Sequence, residues 1–300
     1  MGLNITKGNE TLDIKTIVLL IWGPPGQGKS STGFTASKTI CLDFDHGAHR
    51  SQFRGDTVRI ESFQEVENPK AADYDGYETI MVDTGGRCLD RFADLLMERN
   101  GKLRNASGGL TLAGFGALKA GFTGWVKRVC GFGKDIVFVC HEKEDRRGGD
   151  EVYLKPDIQG GSYGEVFKIS DGIGYLNDDG AGRYLDFSPR EFIIGKNPSE
   201  LPVLRVPNFN DDPHWLAGVI SRCKEGMGQV AQIHAKARDA VGNFREELEY
   251  VKTATDANAI LVDIKRKPEG VQVQCKHLLN DHIATIGVEW NGKKFAKVKK

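Results

Sequence analysis

The sequence predicts an α/β fold built on a mainly parallel sheet, and three observations carry that expectation. Four apolar runs rich in β-branched residues, at 17–22, 39–45, 79–84 and 135–140, have the continuous hydrophobicity of strands buried on both faces. Segments of helical periodicity separate the later runs, at 87–99 and at 115–130, where Leu118, Phe122, Trp125 and Val129 share one face. Glycine, acidic or polar residues close every run, and parallel sheets bind ligands beyond such carboxyl ends.

The first run leads straight into Gly23-Pro24-Pro25-Gly26-Gln27-Gly28-Lys29-Ser30, the phosphate-binding pattern G-x-x-x-x-G-K-[ST] between a strand and a helix. Glycines let backbone N–H groups curl around phosphate oxygens with no Cβ in the way. Lys29 can reach the β- and γ-phosphates, and the Ser30 hydroxyl can take one position on Mg²⁺. A helix of about two turns, expected over 30–37, adds its positive end to the same anion site. Residues 23–30, with Ser31 beside them, are therefore the expected nucleotide contacts, and ATP and Mg²⁺ the expected ligands.

Three hundred residues suffice for one large core and a small appendage. The 41 basic and 41 acidic residues cancel, so any nucleic-acid surface must be local. Six cysteines at 41, 88, 130, 140, 223 and 275 form no C-x-x-C pair and read as reduced thiols of a cytoplasmic protein. A signal peptide and an apolar run of membrane-spanning length are both absent from the pattern, so a soluble, intracellular chain is expected.

Taken in order, residues 1–14 are a polar arm. The run at 79–84 ends in Asp83, the position of a Walker B carboxylate in the magnesium shell. Residues 57–60 read as a short strand. Glycine and asparagine make 100–114 an expected mobile loop, and the charged stretch 142–151 an expected flexible one. Short strands are expected at 152–154, 172–176, 183–187 and 191–194, with a hairpin turn at Asn177-Asp178-Asp179-Gly180, as an antiparallel extension of the sheet. After residue 209 the character turns helical. A helix opens at Asp211-Asp212-Pro213, a separate one covers 227–252, Thr255-Asp256 caps a third, and 271–286 forms a fourth. From Lys265 onward nine Lys or Arg face three acids, an excess of six positive charges, with Trp290 and Phe295 among the lysines. The expected division is thus an arm at 1–14, a core at 15–209 and a helical region with a basic tail at 210–300.

These residues resemble the RecA-like branch of P-loop ATPases, and among them the compact phage-type ATPases that include single-strand-annealing recombination proteins. The resemblance covers about residues 15–209. It rests on the phosphate loop, the very short helix before Cys41-Leu42-Asp43-Phe44-Asp45, the strand ending Val82-Asp83-Thr84, and the strand ending Cys140-His141-Glu142-Lys143. It implies a RecA-like core with a mainly parallel sheet, an antiparallel extension and a C-terminal helical appendage. It also gives Asp45 the role of the carboxylate that orients the attacking water, with Asp standing where the family usually has Glu. His141 falls where the family places a polar sensor of the γ-phosphate. Lys196, in Ile193-Ile194-Gly195-Lys196-Asn197-Pro198, falls where ring-forming members carry a basic finger for the neighbouring subunit's nucleotide; their second basic residue is Pro198 here. Lys102, Arg104, Arg146 and Arg147 match DNA-contacting loops, where cations neutralise phosphates.

His46-x-x-His49 lacks the further Cys or acid pattern of a zinc site. The function expected is Mg²⁺-dependent ATP hydrolysis coupled to single-stranded DNA in phage-type recombination, annealing or replication, in the host cytoplasm if phage-encoded. By resemblance, a ring or filament of identical subunits is expected, with a single-strand-binding or replication protein as a possible partner. The alternatives are a nucleotide switch or motor acting on a protein without DNA, and a small-molecule kinase using the same loop.

Overall fold

The structure is a computed structural model that describes residues 13–146, 152–158 and 160–298. The expected arm at 1–14 lies almost wholly outside the described residues, as do Arg147, Lys299 and Lys300. By its internal contacts the chain divides into a unit ending at Met227 and a unit beginning at Gly228.

The first unit holds a sheet made from β1 (Val18–Gly23), β2 (Thr39–Asp43), β3 (Asp56–Arg59), β4 (Thr79–Asp83), β5 (Asp135–Arg146), β6 (Val152–Pro156), β7 (Gly172–Asp178), β8 (Arg183–Asp186) and β9 (Leu204–Arg205). Its order is β3-β2-β4-β5-β1-β7-β8-β9, with β6 paired to β5 alone. Every pairing from β3 to β7 along this path is parallel, and those of β8 and β9 are antiparallel. The phosphate-loop strand β1 is therefore flanked by parallel partners on both sides.

Alternation along the strands sends successive side chains to opposite faces. Leu20, Trp22, Leu42, Val82, Ile136 and Phe138 join one buried cluster, under α2 (Gly85–Arg99) and α3 (Leu112–Cys130). Leu19, Ile21, Cys41, Met81, Val137 and Val139 join the other, under α1 (Lys29–Phe34) and with Leu216, Val219, Ile220 and Cys223. Covering both faces is what makes the central strands apolar at every position. Phe63 anchors the first cluster, stacked 4.2 Å from Phe92 and tilted against Trp125 at 5.6 Å.

The structure corrects several expectations. Residues 142–146 are not a flexible segment: β5 runs on through them for twelve residues and pairs with β6, placing Arg146 opposite Val152 in a hairpin. A helix, α4 (Gly160–Ile169), follows β6, where only short strands were expected. The expected extension is also only partly antiparallel, since β7 lies parallel to β1. Residues 191–194 form no strand and make only isolated bridges. The expected mobile loop at 100–114 is an ordered turn. The Asn105 carboxamide accepts from the N–H groups of Ser107 and Gly109 and donates to the Leu110 carbonyl, and α3 has already begun at Leu112.

The first two of the four helices expected after residue 209 are one, α5 (Trp215–Leu248), 34 residues long. Gly226 does not end it; a Cβ there would lie 2.8 Å from Ser199, so the glycine serves close packing. The second unit has its own core of Phe244, Leu248, Ile264, Cys275, Leu279 and Phe295. It contains α6 (Ala254–Ile264), α7 (Glu269–Thr285) and the hairpin of β10 (Val288–Trp290) with β11 (Phe295–Lys297), turned at Asn291-Gly292. The cap of α6 is Thr253, whose hydroxyl and the Asp256 carboxylate satisfy each other's backbone N–H groups, rather than Thr255. All six cysteines are free thiols. No helix of the described residues is long and apolar enough to cross a membrane.

Candidate functional site

The carboxyl ends of β1, β2, β4 and β5 meet at a cleft of about 830 Å³. The loop after β1 forms one wall. Gly26 and Gly28 hold φ of 80° and 78°, a left-handed conformation that glycine adopts without strain. Gly28 is the residue before α1, and its carbonyl accepts from both the N–H and the hydroxyl of Thr32. The observed helix has six residues, shorter than expected. Lys29 is 5 % exposed, and its ammonium donates to the Pro24 carbonyl at 2.6 Å across the loop. Burial lowers its pKa, with the nearby Asp83 carboxylate opposing the shift.

Register brings the other expected residues to this loop. Gly23 pairs with His141 across β1 and β5, and Asp83 pairs with Val139 across β4 and β5. Since β5 is interposed between β1 and β4, His141 emerges between the phosphate loop and Asp83. Asp83 is 3 % exposed, and its carboxyl accepts a hydrogen bond from Ser30. Burial pushes it up to about 6; the Ser30 bond opposes that shift, and the charges of Asp43 and Asp45 add to it. The Asp83–Thr84 peptide is cis.

His141 Nδ1 is buried without a hydrogen-bond partner among the described residues. Burial, and then the Lys29 charge, hold its imidazole below the ordinary value, so the ring is neutral at pH 7. Asp45 lines the cleft. Its carboxylate pairs with Arg50 at 3.1 Å and Arg87 at 3.5 Å. Neither arginine is part of a sequence motif; both are brought in by the turn after β2 and the first turn of α2. Asp43, two residues before Asp45, is turned to a structural task and accepts from the N–H groups of Gly47 and Ala48.

The far wall comes from residues that no motif announces. Phe53, Arg183 and Phe209 line it, with the two phenyl rings 5.9 Å apart. They lie 156 positions apart in sequence at the extremes, so no local spacing could have found them.

Other expected residues lie elsewhere. Lys102 and Arg104 follow the end of α2, a helix about 22 Å long whose first turn is at Asp83. The Lys196 ammonium donates to the Ser170 carbonyl at 2.6 Å, beside the first residues of β7 and so at the opposite end of the strand from the cleft. His46 Nε2 contacts the Ile60 carbonyl at 2.8 Å. Among the described residues, no group of three or more His, Cys, Asp or Glu side chains is arranged to hold a metal ion.

A family model described as an AAA domain matches residues 15–199, well over half of the chain. The chain belongs to this AAA domain family. Its core is accordingly an AAA domain carrying a phosphate-binding loop, of a class that binds ATP. Solved structures similar to this AAA protein include a KaiC-like protein from the hyperthermophilic archaeon Pyrococcus horikoshii OT3. It is 11 % identical, with a TM-score of 0.30 over 56 % of this chain and 76 % of that one. The RadB recombinase is 14 % identical, with a TM-score of 0.32 over 58 % and 83 %. Comparison with curated proteins gives no match.

Proposed function

We propose that this AAA protein hydrolyses ATP with Mg²⁺ and uses the nucleotide state to act on single-stranded DNA, in recombination, annealing or replication of the phage type. The cleft suits the ligand: its volume falls within the 300–1,000 Å³ of small-molecule sites. The buried, unpartnered His141 Nδ1 and the Ser30–Asp83 pair supply a donor set fit for a γ-phosphate and a hard cation. Magnesium, when bound, draws charge from the β- and γ-phosphate oxygens.

The protein's own groups do the rest. Loop amides and Lys29 hold the phosphates, and Ser30 and Asp83 hold the metal. Asp45 orients a water in line with the γ-phosphate and accepts its proton. His141 donates to the γ-phosphate, so its hydrogen bond exists only while that group is present.

One observation carries the DNA reading. A single strand, β5, places His141 between the phosphate loop and Asp83 and then continues, five residues later, to Arg146, which stands opposite Val152 of β6. Loss of the γ-phosphate is thereby felt on the strand that ends at Arg146, an order change of the kind nucleotide switches use.

ATP turnover measured with and without single-stranded DNA, alongside anisotropy titrations of labelled DNA at two salt concentrations, tests this. DNA-stimulated turnover and salt-sensitive binding that changes with nucleotide are expected. Absence of DNA binding in every nucleotide state would overturn the reading. The exposed aromatics of the second unit, Tyr250 at 81 % and Trp290 at 50 %, favour a protein-directed switch as the second reading. Its mark is DNA-independent turnover.

A further inference from the structure

Arg183 enters the cleft from β8, and no nucleotide motif includes it. Its backbone is fixed on both sides, paired with Asp178 on β7 and accepting from the Val206 N–H at 3.0 Å. Its guanidinium carbon lies 5.0 Å from the centre of the Phe209 ring, and Nη2 donates to the Pro207 carbonyl at 3.3 Å. These contacts hold the planar group against an aromatic face and aim its other edge at the phosphate loop. Nη1 is so close to Gly28 that a Cβ on that glycine would sit 2.4 Å away.

The charge state of its neighbours sets Arg183 apart. Arg50 and Arg87 also border this region, but both are paired with Asp45. Among the described residues Arg183 pairs with no carboxylate, though it lines a cleft that holds several. A guanidinium presents a fork of donors that matches phosphate oxygens two at a time, and stacking on a ring leaves that fork's edge free. Held beside the glycine that opens α1, the unpaired cation faces the place where the loop amides collect anionic charge.

We propose that Arg183 is a nucleotide-binding residue supplied by the same subunit: its guanidinium, held over the Phe209 ring beside Gly28, donates hydrogen bonds to the phosphate chain of a nucleoside di- or triphosphate. This rests on the reading of residues 23–30 as the nucleotide site. Strands β7 and β8 then do more than extend the sheet, because they carry a cation to a loop that has only Lys29 of its own.

Calorimetric titration of the full chain with Mg²⁺-ATP and Mg²⁺-ADP tests the assignment in the wild type, Arg183→Ala, Arg183→Gln and Lys29→Ala, with nucleotide-free melting curves in parallel. Arg183→Ala and Arg183→Gln should raise the Kd for both nucleotides about tenfold or more, as expected for a lost charged hydrogen bond, while the melting curves stay cooperative. Dissociation constants within twofold of wild type in both variants overturn the proposal.

Should the variants fail to fold, the wild-type protein decides. ATP should slow modification of Arg183 by phenylglyoxal, followed by peptide mass spectrometry, and an unchanged rate overturns the assignment. A wild type that binds no ATP, or a Lys29→Ala variant that binds as well as wild type, overturns the phosphate-loop reading and this proposal with it. Tight wild-type binding that is lost in Lys29→Ala but kept in both Arg183 variants overturns the proposal alone.

Discussion

Asp43 and Asp83 stand in register at the carboxyl ends of β2 and β4, both buried, with their carboxylates committed to different partners. Asp43 accepts from two backbone N–H groups and fixes the turn that aims Asp45 into the cleft. Asp83 accepts from the Ser30 hydroxyl and carries its carboxyl at the edge of the cleft. The pair separates construction from chemistry within one layer of the sheet.

Asp43→Ala leaves the N–H groups of Gly47 and Ala48 without their acceptor. The expected loss is about 1–3 kcal/mol of stability, the usual result of stranding buried donors. It should register as a lower urea midpoint with an unchanged slope. Hydrolysis should fall with it, since Asp45 rides on the same turn.

Asp83→Asn should have opposite effects on stability and activity. In nucleotide-free protein with chelator present, burial raises the wild-type carboxyl to about 6, above its unfolded value. Below about pH 4 the group is protonated in both states and contributes nothing. Between about 4 and 6 the folded chain keeps a proton that the unfolded chain has released, so stability falls as pH rises, and above about 6 the full penalty remains. The variant should therefore be the more stable protein at pH 7.5, with the difference vanishing near pH 4 in melting experiments, while its ATP turnover is lost.

Asp45→Asn should keep ATP binding and lower kcat by about 10²-fold or more, the range of a lost general base. Asp45→Glu extends the carboxylate by one methylene and should retain turnover. Single-turnover measurements with saturating ATP separate these effects from binding.

Gly23→Ala tests the seat of the loop. A Cβ at this position would lie 2.0 Å from the Leu176 carbonyl oxygen, a backbone atom of β7 that cannot swing aside. The strands must part, and a loss of about 1–3 kcal/mol or more is expected from thermal or urea unfolding. Gly26→Ala at the neighbouring turn meets nothing within 4 Å, so its penalty comes from the positive φ alone and should be smaller.

Much of this was legible from the chain alone, for a physical reason. The parallel strands are covered on both faces, so residues such as Leu19, Leu20, Val82 and Val137 are apolar without interruption and announce themselves. The phosphate loop and Asp83 are local in sequence and equally plain. The extension of β5 was not, because residues 142–146 lie in a two-stranded hairpin whose pairing is satisfied by backbone bonds to β6 and needs no apolar pattern. Helix α4 was hidden by Gly160, Gly161 and Gly164, which weaken local helix propensity, while its packing through Val166 is tertiary. Arg50, Phe53, Arg183 and Phe209 reach the cleft only through the topology of the sheet, and no spacing rule connects them.

The place of β1 in that sheet has a consequence for how the molecule moves. Its amides and carbonyls are locked to β5 on one side and β7 on the other, and its side chains from Leu19 to Trp22 are wholly buried. Hydrogen exchange should find these amides among the last to open, released only with the whole unit. The loop at residues 23–30 is thus rooted in a strand held on both sides, and on the proposed reading the give that accompanies turnover falls to the strands at the margin of the sheet.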